Sequence, residues 1–139
     1  MKWSVLAILS GLLTWPALAA DPAPGFSVEG QVSHPLHLTV ADLKQTSGVQ
    51  IDASFEVKGQ TEKGSYVGVS LLDLLNKAGI IDGEAKGSHL RHVIEVGGRD
   101  GYTIAIAMGE IEPNMEGKPV LIAQLRDGQP VEPAGTVRL

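Results

Sequence analysis

The chain of 139 residues contains no cysteine. Its opening residues nevertheless address it to a compartment where small domains commonly rely on disulfides. An exported chain without cysteine cannot be stapled, so its hydrophobic core alone must hold the fold. The export signal reads in order. Met1-Lys2 carries the positive charge, residues 3–13 form an apolar run broken only by Ser4, Ser10 and Gly11, and Thr14-Trp15-Pro16 ends it. Ala17-Leu18-Ala19 supplies the small-x-small pattern of a signal peptidase site, which predicts cleavage after Ala19. The apolar run, about a dozen residues, is short of the roughly 20 needed to span a bilayer as a helix. No cysteine follows it for lipid attachment, and no arginine pair precedes it for the twin-arginine route. The sequence therefore predicts a periplasmic or secreted protein that crosses the membrane unfolded and acquires any cofactor outside.

With residues 1–19 removed, residues 20–139 amount to about 120, which suits one domain with one core. Formal net charge is -5, and Lys2 departs with the signal. A mildly acidic mature chain is a poor match for nucleic acid or an anionic membrane, both of which reward clustered Lys and Arg. The lack of cysteine also excludes thiolate catalysis and any Cys-ligated zinc, iron–sulfur or molybdenum centre.

Periodicity divides the mature chain. Asp21-Pro22-Ala23-Pro24-Gly25 is a stiff lead-in, after which Phe26, Val28, Gly30 and Val32 alternate with polar residues as a half-buried strand does. Ser33-His34-Pro35 turns the chain into a short extended piece at residues 36–38. Thr39 and Asp42 then read as a capping box for one or two helical turns. Ile51, Ala53, Phe55 and Val57 alternate as another strand, and the polar residues 58–65 read as a loop. The clearest helix follows, with Ser70 as N-cap, Leu71, Leu74, Leu75 and Ala78 in one apolar stripe, and Gly79 as the stop. Strands are expected at residues 90–96, 102–108 and 120–125. Asp127-Gly128 marks a tight hairpin, and a further strand is expected from Thr136. Strands outnumber helices, which gives an α+β class: mixed and β-rich, with one main helix and short helical turns.

Several stretches, in this order, resemble the oxidoreductase molybdopterin-binding domain of the sulfite oxidase family. They are Phe26-Ser27-Val28-Glu29-Gly30-Gln31-Val32 and Leu38-Thr39-Val40-Ala41-Asp42-Leu43; the segment Tyr66-Val67-Gly68-Val69-Ser70-Leu71-Leu72-Asp73-Leu74-Leu75-Asn76-Lys77-Ala78-Gly79; Asp100-Gly101-Tyr102; and residues 121–131 with Gly135-Thr136-Val137-Arg138-Leu139. The resemblance implies a sulfite-oxidase-like fold across most of residues 20–139. The family's usual Val-Pro-Gly-type continuation is missing, so the domain is either naturally short or C-terminally incomplete. The family's cofactor is molybdopterin, with the molybdenum also held by one protein cysteine on or just after the strand preceding the Gly-Val-x-Leu helix. Here that stretch is Ala53-Ser54-Phe55-Glu56-Val57, without sulfur. Hydroxyl and carboxylate groups are poor substitutes for a soft thiolate on this metal. The sequence therefore predicts no bound cofactor, no molybdenum chemistry, and Phe55 filling space near the vacated pocket.

Other candidate sites are weaker. His34 and His37, and likewise His89 and His92, have the spacing of metal pairs. In strand context, however, residues three apart face opposite ways, so no metal site is predicted. Gly97-Gly98-Arg99-Asp100-Gly101 could cradle an anion with its amides, with Arg99, Asp100 and Tyr102 meeting a polar ligand, although a plain β-connection is the simpler reading. Glu110 and Glu112 read as a solvated loop. No catalytic residue is assigned. The expected function is an exported, non-redox binding or accessory domain for a small ligand or a periplasmic protein. The alternatives are a molybdopterin oxidoreductase lacking the usual ligand, and an unrelated β-sandwich module.

Overall fold

The computed structural model of the protein describes residues 25–46 and 48–131; the export signal, its cleavage site and the strand expected from Thr136 lie outside them. In chain order the elements are β1 (Gly25–Val28), β2 (Leu36–Thr39), α1 (Val40–Lys44), β3 (Val49–Val57), β4 (Gln60–Ser70), α2 (Leu71–Ala78), a 3-10 helix (Ser88–Arg91), β5 (Val93–Gly97), β6 (Thr103–Ala107), α3 (Met108–Ile111), β7 (Leu121–Arg126) and β8 (Gln129–Pro130). Among the described residues all strand pairs are antiparallel, in three separate sheets: β1-β2, β3-β4-β7-β8 and β5-β6. This is the β-rich α+β architecture that the alternation pattern predicts.

Helix α2 is the centre of the packing, and its sequence explains it. Ser70 Oγ accepts the Asp73 amide at 3.3 Å, and Gly79 ends the helix in the left-handed region with φ 71°. The Gly79 amide donates to the carbonyls of Leu75 and Asn76, closing the orphan carbonyls of the last turn. Between the caps, Leu71, Leu74, Leu75 and Ala78 are buried. They meet Leu43 from α1, Val69 from β4, Met108 and Ile111 from α3, and Ile122 from β7. Thr39 and Asp42 form the expected capping box at α1, which directs Leu43 into this core. At Gly68 a register shift in β4 brings its backbone against β7, and a Cβ there would collide with the Ile122 carbonyl.

Four local expectations are corrected. The first strand stops at Val28, and Val32 instead makes a single bridge to Ile80. Residues 58–65 are not a loop. Lys58 (φ 52°) and Gly59 (φ 77°) alone form the turn, with the paired positive φ values that suit a two-residue hairpin, and β4 starts at Gln60. The outer half of β4 has no apolar residue to mark its buried face, so its alternation carries no apolar signal. The strand expected from Leu90 begins at Val93 because residues 88–91 coil. Met108 leaves β6 to open α3, where it and Ile111 are buried. The Asp127-Gly128 hairpin is as expected, with φ 51° and 79°.

Candidate functional site

A groove of about 800 Å³ runs between β1 and β5. One wall is β1 with the turn after it, and the other is formed by residues 91–98. Its floor is the buried core itself: Leu71 and Leu75 from α2, Met108 from α3 and Ile122 from β7. The core thus positions the groove directly, because α2 packs the same leucines inward that it presents at the groove's base. Glu29, Glu95 and Asp100 bring carboxylates to the lining, whereas Arg91 is its permanent cation. An apolar floor with a few polar groups at its edge suits a small ligand. The excess of carboxylates disfavours an anionic one.

The structure separates the residues singled out from sequence. Asp100 and Tyr102 line one end of the groove, and Tyr102 is 71% exposed. Arg99 sits in the same turn but is not among the lining residues. The turn itself is a β5–β6 connection, three of whose amides are already used. Gly98 donates to the Tyr102 carbonyl at 2.7 Å, Gly101 to the Gly98 carbonyl at 3.0 Å, and Tyr102 to Asp100 Oδ1 at 3.1 Å. Asp100 thus occupies the Tyr102 amide from within the loop.

Phe55, expected near the vacated pocket, lies outside this groove. It is 40% exposed on β3, opposite Glu62, with its ring 6.2 Å from that of Tyr66. The side chains of that face continue to Arg126, whose guanidinium lies 5.8 Å over Tyr66 and donates to Glu62 at 3.0 Å. One strand, β4, separates Ala53-Ser54-Phe55-Glu56-Val57 from the start of α2, because β4 leads into the helix and β3 precedes it.

The histidine pairs also part company. The His34 amide donates to the Ala78 carbonyl and its Nδ1 lies 3.0 Å from Ser33 Oγ, while His37 on β2 faces Glu29 at 4.0 Å. His89 and His92 are brought together, contrary to strand geometry, because the 3-10 turn places His89 beside the cap residue His92 with ring centroids 6.2 Å apart. Both contact Asp82: His89 Nδ1 at 3.2 Å and His92 Nε2 at 2.8 Å. His89 Nε2 reaches Glu112 Oε2 at 3.2 Å, and Glu112 is 20% exposed rather than a free loop carboxylate. Desolvation pushes Asp82 upward, but the hydrogen bonds from His92 and His89 outweigh it and hold its carboxyl below the usual range. For His89, desolvation lowers the ring's affinity for a proton, yet the bonds to Asp82 and Glu112 more than reverse this and raise it. Sequence reading missed the cluster because Asp82 and Glu112 come from segments with no pattern linking them to the histidines. Among the described residues no set of His, Cys, Asp and Glu side chains has the geometry of a metal centre.

Comparison with known families and proteins gives one result. The oxidoreductase molybdopterin binding domain family matches residues 19–135. No curated protein matches the chain significantly. The family match covers most of the chain, and the protein belongs to the oxidoreductase molybdopterin-binding domain family.

Proposed function

We propose, from membership of that family, that this protein is an exported, non-redox binding or accessory domain that keeps the family fold without its metal chemistry. The observation that carries this reading is the absence of any cysteine from the whole chain. A molybdenum centre of the family's kind takes one protein thiolate. The corresponding stretch offers Ser54 and Glu56, hard oxygen donors on an exposed strand outside the groove. The groove's charge points the same way. Molybdopterin carries a phosphate, and Glu29, Glu95 and Asp100 against Arg91 make a poor receptor for it. The residues present do not fit the cofactor, and the groove is better suited to a neutral or cationic small molecule. Family membership sets aside an unrelated β-sandwich.

Elemental analysis of protein purified from its native compartment tests the reading. Molybdenum far below one atom per chain is expected, with no pterin fluorescence after denaturation and no sulfite oxidation. Near-stoichiometric molybdenum would overturn the reading and favour an oxidoreductase without the usual ligand. The export component has its own test. N-terminal sequencing of exported protein should begin at Ala20, following Ala17-Leu18-Ala19. A membrane-bound product retaining Met1 would contradict it.

A further inference from the structure

The cluster around His89 joins three segments distant in sequence. Asp82 sits in the connection after α2, His89 in the 3-10 helix, and Glu112 at the C-terminal cap of α3. A carboxylate only accepts hydrogen bonds when ionised, so a ring with a carboxylate at each nitrogen satisfies both contacts only when both nitrogens carry protons. Neutral imidazole has one N–H and must forfeit either Asp82 or Glu112. We propose that Asp82, His89 and Glu112 form a proton-operated clasp that fastens the 3-10 helix to the end of α3 while His89 is an imidazolium, and loosens it when the ring loses a proton.

The surroundings make this a switch with a mechanical output. His92, bonded to the same Asp82 oxygen, has its carbonyl bound by the Met108 amide at 3.0 Å, so it ties the cluster to the start of α3. Arg91 and His92 also line the groove wall. The charged groups around the clasp are accounted for. Asp82 and Glu112 hold His89, while His92 shares Asp82. Arg91 lies on the same turn, and Glu110 on α3 is occupied by the Ala107 amide at 3.1 Å and by Lys118 at 3.6 Å. His89 is 36% exposed on its side chain, so protons can reach it without unfolding. The sign follows from the shifts. His89, raised, contributes stability that is complete below its unfolded value of about 6.5 and is lost as pH rises through the folded value. Asp82, lowered, contributes stability above about 3.9 that is lost as pH falls through its folded value. The clasp is therefore closed between these two limits.

Nitrogen-15 NMR of the histidine rings in the full protein tests this directly. Both His89 nitrogens should be protonated near pH 6, with a midpoint above about 6.5. Amide exchange at Met108 and Glu112, corrected for its intrinsic pH dependence, should accelerate by about fivefold or more across the same midpoint. Glu112→Gln should lower that midpoint by about half a unit or more and flatten the exchange step. If this variant does not fold, the ring signals and exchange of the unsubstituted protein decide the matter alone. A midpoint at or below the ordinary value, or exchange indifferent to it, would overturn the clasp. So would stoichiometric zinc that removes the proton step at His89, making the cluster a metal centre.

Discussion

Strand β4 belongs to two environments, and comparing its ends separates what holds this protein together from what it carries. At the inner end, Val69 is buried and Ser70 caps α2, so each residue has neighbours in both directions along the chain. At the outer end β4 pairs with β3 alone around the Lys58-Gly59 turn, and Phe55 and Val57 stay exposed on the neighbouring strand. The outer end is paired to β3 alone, whereas the inner end is paired to β7 as well. Only the inner end adds a packed core to that pairing, so it is the scaffold and the outer end the appendage.

Substitutions can break that contrast. Leu74→Ala removes a side chain that is 2% exposed at the centre of α2. It should destabilise by roughly 2–5 kcal/mol in denaturant unfolding; a loss under about half a kcal/mol would place the core elsewhere. Gly68→Ala, where β4 meets β7, forces a Cβ into the Ile122 carbonyl. A cost of about 1–3 kcal/mol is expected by the same measurement, and a neutral result would show that the strands can part cheaply. Phe55→Ala on the outer arm should cost at most about 1 kcal/mol, the scale of a cross-strand pair. A larger loss would mean that the exposed arm is covered by something and carries stability after all.

The same contrast explains what could be read from sequence. Helix α2 was legible because Ser70, the leucine stripe and Gly79 each impose a local rule that the core then rewards. The outer half of β4 was not, because Thr61 and Lys63 face water while Glu62 and Gly64 lie against Arg126, so no apolar residue marks the buried face. In the groove, Asp100 and Tyr102 were found through their turn. Leu71 and Leu75 looked like core alone, since nothing in a helical stripe marks which leucine also floors a cavity. The contacts of His89 were invisible for another reason. They depend on a 3-10 coil where alternation suggested a strand, and on Glu112 being carried back by α3.

Among the described residues the three sheets share no backbone hydrogen bonds with one another, and the turn between β1 and β2 is tied to the end of α2 by the Val32–Ile80 bridge and by bonds from Ser33 and His34. Side-chain packing on one eight-residue helix therefore carries most of the coupling between them. Such a molecule should open in pieces rather than all at once. The β5–β6 hairpin can lift away without disturbing the ladder between β4 and β7, so the groove bounded by β1 and β5 can widen at the cost of local packing alone. A cavity whose two walls belong to different cooperative units can admit ligands larger than its resting volume.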